Sequence, residues 1–265
     1  MMAGEQVAIR SADEIAMARR AGALAAEVLD MIAEHVKPGV TTEELDQLCH
    51  DHIVNVQQAI PANIGYHGYE KTICASVNHV ICHGIPSAKK LKNGDIVNID
   101  VALNKDGWFG DTSRMYFVGQ PSTLAKRLVR TTYEAMRAGI LAVRPGATLG
   151  DIGHAIQSVA HRDGFSVVQE YCGHGIGRIY HDEPQVLHFG NPGEGLTLKP
   201  GMIFTIEPMI NAGKAAIRTL ADGWTVVTKD HSLSAQWEHT VLVTDSGYEV
   251  LTVSGGMRQP PEWIK

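Results

Sequence analysis

Four acidic residues sit where a carboxylate is hardest to bury. Asp100 closes the apolar run Ile96-Val-Asn-Ile-Asp100, and Asp111 follows it across a Lys105-Asp106-Gly107 turn. Glu207 closes a second run, Ile203-Phe-Thr-Ile-Glu207, and Glu238 lies in Gln236-Trp-Glu-His-Thr240, just before Val241-Leu-Val243. A carboxylate in a buried strand must be paired, hydrogen-bonded or bound to a cation. One such residue reads as a salt bridge or a sheet edge. Four of them, with Arg114 the sole basic residue at hand as an inward partner, ask for metal ions. Two divalent cations balance four carboxylates and one does not, so the charge count favours a dinuclear centre. Oxygen-rich ligation with an imidazole suits Mn, Fe(II), Co or Mg better than the thiolate-loving metals. Metal pairs of this kind activate water and clamp a carbonyl under attack.

Three histidines are candidates for the imidazole roles. They are His83 in Cys82-His-Gly-Ile-Pro86, His174 in Cys172-Gly-His-Gly-Ile-Gly177, and His181 in Tyr180-His-Asp-Glu-Pro184. Glycine neighbours allow close backbone approach and special dihedrals. His35, His50, His52, His154, His161 and His231 have no such setting and read as surface or structural residues. Gly173-x-Gly175-x-Gly177 is not a dinucleotide loop, because its spacing is wrong and no helix-forming stretch follows. Residues 58–71, with Pro61, Gly65 and Gly68, form a loop crowded with Tyr66, His67 and Tyr69. Functional groups often sit on such loops.

The elements that must position these groups follow a repeated plan. Leu198–Glu207 (LKPGMIFTIE) matches Leu91–Asp100 (LKNGDIVNID), 107 positions earlier. Val143–Thr148 matches Val36–Thr41, and His174-Gly175 falls on His67-Gly68, both at the same offset. Three matches in one register indicate a duplication within a single catalytic domain, 1–265. Its halves, about 11–119 and 120–253, would pack face to face and aim one carboxylate strand each at a shared centre. In the first half, capping boxes at Ser11-Ala-Asp-Glu14 and Thr41-Thr-Glu-Glu44 start helices that should run to about Val36 and Gln57. Strands are expected at 72–82, 95–103 and 108–118. The second half repeats this, with helices at about 122–142 and 148–163. Its strands are expected near 165–171, 202–210, 224–229, 236–244 and 247–253. Helix pairs followed by antiparallel hairpins make the class α+β. Residues 1–10 read as a loose arm, and 254–265, with Pro260-Pro261, as an irregular tail.

Composition narrows the function. Apolar residues at 44% and charged residues at 20% are ordinary globular usage and permit a large core. A net charge of −6 argues against a nucleic-acid partner. No apolar run is long enough for a membrane span, and no signal pattern opens the chain, so a cytoplasmic protein is expected. Cys49, Cys74, Cys82 and Cys172 form no C-x-x-C pair, which disfavours both a disulfide framework and a thiolate zinc site.

Taken together, GYHGYEKTIC, CHGIP, NIDV, GDTSRM, EYCGHGIGR, FTIEPMINAG and SAQWEHT resemble the short bacterial type I methionine aminopeptidases over roughly residues 5–255. The resemblance implies the pita-bread fold: two pseudo-symmetric α+β halves, antiparallel sheet inside and helices outside. It implies five metal ligands. Asp111 and Glu238 would bridge two ions (Co, Mn or Fe(II)), Asp100 would complete one site, and His174 with Glu207 the other. It implies substrate contacts at His83 and His181, and a methionine pocket at Tyr66, Tyr69, Cys74, Trp224 and Tyr180. A monovalent cation would sit at Asn78, Val80 and Ser234. The implied reaction is removal of the initiator methionine from nascent chains when the second residue is small. A metal-bridging hydroxide would attack the scissile carbonyl, His181 would stabilise the oxyanion, Glu207 would shuttle the proton, and His83 would contact the leaving nitrogen. A monomer is expected, with the ribosome as a partner. Asn63 and Tyr180 depart from the family, where cysteine and phenylalanine are common, and they bear on substrate preference. The 31 positions from Glu207 to Glu238 leave no room for the type II insertion, and the arm is too short for the eukaryotic zinc-finger extension. An Xaa-Pro peptidase and a metal-free binding module on the same fold are the rival readings. With Met2 in second place, the protein is expected to keep its own Met1.

Overall fold

The computed structural model describes residues 7–254; the first six residues, with Met1 and Met2, and the tail beyond 254 lie outside them. The chain opens with helices α1 (Ala12–Ala33) and α2 (Thr42–Asp51), the latter continued by a π-helical stretch, His52–Val56. Strands β1 (Ile60–Pro61), β2 (Ile73–Val77), β3 (Val80–Cys82), β4 (Ile96–Lys105) and β5 (Trp108–Phe117) follow. Then come α3 (Thr123–Ala142), α4 (Leu149–Arg162), β6 (Ser166–Val167), β7 (Gly173–Gly175), β8 (Asp182–Val186), β9 (Ile203–Ile206) and β10 (Met209–Asn211). The last strands are β11 (Ile217–Thr219), β12 (Val226–Thr228), β13 (Ser234–Gln236), β14 (His239–Val243) and β15 (Tyr248–Val250).

The helices start where their caps dictate. Ser11, Thr41 and Thr148 each accept the N–H three residues on, and Glu14, Glu44 and Asp151 reach back to the cap. Each exchange satisfies two backbone donors that a helix start otherwise leaves free. The hydrogen bonds that tie these starts to the strands recur along the chain. Gly39 donates to the Leu91 carbonyl and Leu91 to Val40; Gly146 donates to Leu198 and Leu198 to Ala147. Thr41 bridges Lys90, and Thr148 bridges Thr197. Every residue of the second set stands 107 positions after its counterpart.

The strand pairings are antiparallel. The first half centres on β4, flanked by β5 on one side and by β1 and β2 on the other; the second on a five-stranded sheet in the order β15-β14-β9-β7-β8. Two three-stranded sheets, β13-β10-β6 and β11-β12-β3, join them. One apolar core lies between α1, α2 and the first sheet, around Leu29, Leu45, Ile99 and Leu103. Another lies under α3 and α4, around Leu128, Ile156, Phe204 and Val241. The fold is the α+β arrangement expected, with helices outside and antiparallel sheet within.

The β4–β5 hairpin turns through Asp106 (φ 54°) and Gly107 (φ 81°), both left-handed, as a two-residue hairpin turn requires. Its register is regular, with Asp100 opposite Ser113 and Ala102 opposite Asp111. Asp100 and Asp111 are therefore diagonal neighbours on one face. No bulge is needed to bring them together, because an odd spacing across a two-residue turn keeps the face.

Several expected strands are shorter or broken. The run at 72–82 divides at Asn78, whose backbone is left-handed (φ 58°) and whose side chain bonds Asp95 and the Ile96 N–H. The run at 202–210 breaks at Glu207-Pro208, and that at 236–244 at Trp237-Glu238. Both breaks fall at candidate ligands, where the chain leaves its ladder to present a carboxylate. At 165–171 the strand keeps Ser166 and Val167, and α1 stops at Ala33 rather than Val36. The short strands β7, β8 and β11 had no alternating pattern to mark them.

Candidate active site

The hairpin face carrying Asp100 and Asp111 looks across at the second half, and hydrogen bonds hold the two together. Thr112 Oγ1 donates to the Glu238 carbonyl at 2.7 Å, Thr240 Oγ1 to the Asp111 carbonyl at 2.8 Å, and the Glu238 N–H to the Ser113 carbonyl at 3.2 Å. Glu238 is thereby fixed beside Asp111, and both are buried. Arg114 does not face this cluster. It points to the other side of β5 and pairs with Asp30 of α1 at 2.9 Å.

His174 enters from β7, where the glycines matter sterically. A Cβ on Gly173 would lie 2.3 Å from the Thr205 carbonyl, and one on Gly175 would lie 2.0 Å from that of Glu183. Only glycine lets β7 wedge between its neighbours. His174 Nδ1 lies 3.0 Å from the Gly175 carbonyl, which can only accept, so Nδ1 carries a proton. Nε2 then faces Asp111 Oδ2 at 3.5 Å and Glu207 Oε1 at 3.6 Å. A nitrogen aimed at two carboxylates requires positive charge there, either a proton or a metal. Ligand atoms of Asp111, His174 and Glu238 all lie within 4.8 Å of one another. Asp100 Oδ1 and Asp111 Oδ1 are buried with no hydrogen-bond partner. Unpaired buried carboxylate oxygens converging with an imidazole fit divalent cations, with hard oxygen donors and one nitrogen.

The electrostatics say the same. Burial raises the carboxyls of Asp100 and Glu238 well above the usual range, and their neighbouring carboxylates add to it. Burial pushes Glu207 up to about 7, with His174 opposing and Asp111 adding. For His174 burial pulls downward, but Asp111 and Glu207 prevail and raise its pKa.

Three supporting residues escaped the sequence reading. Thr205 Oγ1 accepts the His174 N–H at 2.9 Å and donates to Glu207 Oε1 at 2.8 Å. Gln236 Nε2 donates to Glu207 Oε2 at 3.3 Å. Each stands two residues before a candidate ligand, so a period-two reading backward from Glu207 and Glu238 would have found both. His188 Nε2 accepts the Glu207 N–H at 3.1 Å. It lies in the loop after β8, and no local pattern pointed to it.

The cluster floors a cavity of about 290 Å³. Its walls bring together all the remaining candidates for substrate contact: Asn63, Tyr66, Tyr69, Cys74, His83, Tyr180, His181 and Trp224. Cys82, Glu170, Tyr171, Cys172 and Met209 also line it, and none was singled out for this from the sequence. Tyr69 packs edge-on against Trp224 at 5.0 Å, and His83 lies 5.4 Å from Tyr171. Burial lowers the pKa of His83, whose backbone is left-handed (φ 57°). His181 opens to solvent at the rim; partial burial, then the charges of His174 and His83, hold it well below the usual histidine range. Both rings are neutral near pH 7. Asn78, Val80 and Ser234 lie outside this cavity, where the Ser234 N–H donates to the Asn78 carbonyl at 2.8 Å.

Residues 16–245 match the model of metallopeptidase family M24. Over 248 residues the chain is 58% identical to methionine aminopeptidase of Escherichia coli K12, spanning 93% of this chain and 94% of that one. The chain belongs to the methionine aminopeptidases of metallopeptidase family M24. Another member, from Rickettsia prowazekii, is 60% identical over 237 residues, 89% of this chain and 91% of its own. The crystal structure of methionine aminopeptidase from R. prowazekii matches with a TM-score of 0.92 at 57% identity, covering 94% of this chain and all of that one. Prolidase from Pyrococcus horikoshii OT3, at 22% identity and a TM-score of 0.73, shares the M24 fold alone. No helix of the described residues is long and apolar enough to cross a membrane.

Proposed function

We infer that the protein is a metal-dependent aminopeptidase that removes N-terminal methionine from peptide chains. The observation that carries this reading is the clustered set Asp111, His174 and Glu238 at the floor of an aromatic-walled cavity, in a chain 58% identical to a methionine aminopeptidase. Asp100, Asp111, His174, Glu207 and Glu238 would hold two divalent ions. Ions held there would supply Lewis acidity to a peptide carbonyl and lower the pKa of water. His181 would donate to the scissile carbonyl oxygen as charge develops on it. Glu207, held by Thr205 and Gln236, would take a proton and return it to the leaving nitrogen, which His83 would contact.

Tyr66, Tyr69, Cys74, Trp224, Tyr180 and Asn63 would hold the methionine side chain, whose thioether suits aromatic walls. A cavity this enclosed would admit a small second residue and clash with a large one. Asn78, Val80 and Ser234 would hold a monovalent cation beside the β3–β13 contact. The recurring 107-residue pattern of hydrogen bonds supports a duplicated origin for the two halves. The test is release of methionine from Met-Ala-Ser by metal-stripped protein, with Co, Mn or Fe(II) added back. Release should need the metal, vanish in Asp111→Asn, and fall sharply for Met-Leu-Ser. No release by folded, metal-loaded protein would overturn the reading.

A further inference from the structure

Asn63 and Tyr180 come from opposite halves and meet inside the cavity. Tyr180 Oη donates to Asn63 Oδ1 at 2.8 Å, and Asn63 Nδ2 donates to the Thr72 carbonyl at 3.0 Å. Asn63 follows β1, while Tyr180 lies between β7 and β8. Both are buried, at 8% and 9% exposure, and both line the cavity. The Tyr180 ring has little freedom: it stacks on Phe109 at 5.3 Å with 5° between the planes, and Tyr66 meets it edge-on at 5.1 Å. The Thr72 carbonyl can only accept, so it takes Nδ2 and turns Oδ1 toward Tyr180; the fixed ring then holds its hydroxyl as the donor to Oδ1 and anchors the amide at its other end. With Oδ1 on Tyr180, Nδ2 lies on the Thr72 side of a residue that lines the cavity.

An amide nitrogen has two hydrogens, and Thr72 takes one. The second belongs to a residue that shares the cavity wall with the rings of Tyr66, Tyr69 and Tyr180 and the Cys74 thiol. An N–H in such a setting favours any ligand that brings an acceptor. Methionine sulfur is a weak acceptor, the corresponding methylene of norleucine is none, and the oxygen of methionine sulfoxide is a strong one.

We propose that the Asn63–Tyr180 pair is a specificity device of the substrate pocket: Tyr180 locks the Asn63 amide so that its free N–H selects side chains with an acceptor at the sulfur position. This rests on the methionine-pocket reading above. Asn63 touches the substrate; Tyr180, in this respect, is a positioning residue that acts through it.

The test measures kcat/KM for Met-Ala-Ser, norleucyl-Ala-Ser and methionine-sulfoxide-Ala-Ser at saturating Mn. The proteins are the parent, Tyr180→Phe, Asn63→Leu and the double variant. Ratios between substrates within one preparation cancel the folded fraction and the metal occupancy. Each single change should lower the Met-to-norleucine ratio about three- to tenfold, mainly through KM, and lower the sulfoxide-to-norleucine ratio more. The double variant should match Asn63→Leu, because Tyr180 acts only through that amide. Ratios within twofold of the parent in both singles would overturn the proposal, as would additive losses in the double. Tyr180→Phe removes one oxygen and decides the matter alone if Asn63→Leu does not fold. Failure of the metal-loaded parent to release any of the three residues would overturn the aminopeptidase reading itself, and this proposal with it.

Discussion

Replacing Thr205 with valine deletes one oxygen, and that oxygen joins two candidate ligands. Thr205 is fully buried in β9; its hydroxyl accepts the His174 N–H at 2.9 Å and donates to Glu207 Oε1 at 2.8 Å. Valine leaves the His174 N–H without a partner, at a cost of about 1–3 kcal/mol. It also removes one donor from Glu207, for a combined loss of about 3 kcal/mol. For a chain of this length that lowers the melting temperature by about 6–12 °C. Glu207 is loosened rather than released, because Gln236 still donates to its other oxygen and His188 still accepts its N–H. Removing an outer-shell partner of this kind typically weakens metal binding about 10- to 100-fold. Equilibrium dialysis of Mn, run beside activity as a function of Mn concentration, reads that change directly. Thr205→Ser restores the hydroxyl and should recover most of the affinity. Metal affinity within twofold of the parent in folded Thr205→Val would refute the reasoning and leave Thr205 a purely structural residue.

Other outcomes follow from the same geometry. Glu207 has a folded pKa of about 7 in the metal-free site, against 4.5 for the free side chain, so the folded state holds the proton longer. Stability from this group therefore falls as pH rises from about 4.5 to 7, by on the order of 3 kcal/mol. Divalent ions should abolish the loss, so the melting-temperature gain on adding Mn should grow across that window; a gain flat in pH contradicts this. Burial lowers His188 to about 3, so with metal saturating, stability should decline as pH falls from 6.5 toward 3. Urea titrations at pH 5 and 7 should show that slope flattened in His188→Gln. Gly110 lets α1 rest on β5, and a Cβ there would lie 2.2 Å from the Ala21 carbonyl. Gly110→Ala should cost about 1–3 kcal/mol by overpacking; an unchanged urea midpoint would mean that α1 can shift freely.

The amino-acid sequence by itself determined the chemistry and the plan. Asp100, Asp111, Glu207 and Glu238 were legible because each interrupts an apolar strand, and a buried carboxylate has few physical explanations. The α+β class was legible because capping boxes and K-P-G turns are local signals, written within four or five residues of the structure they dictate. The pairing of Asp100 with Asp111 was legible through the hairpin turn between them. Only the tertiary structure decided what stands behind these groups. His188 reaches Glu207 from a loop with no pattern of its own, and Asn63 reaches Tyr180 across 117 positions of chain. Arg114 lay on a candidate strand, yet the pleat turned it to Asp30, away from the carboxylates. The breaks at Glu207-Pro208 and Trp237-Glu238 were equally hidden, because an apolar run does not reveal where a strand leaves its ladder. The physical reason is common to all four. Local signals report what a segment does to itself, whereas the partner of a buried polar group is set by which distant segment the packing brings within about 3 Å.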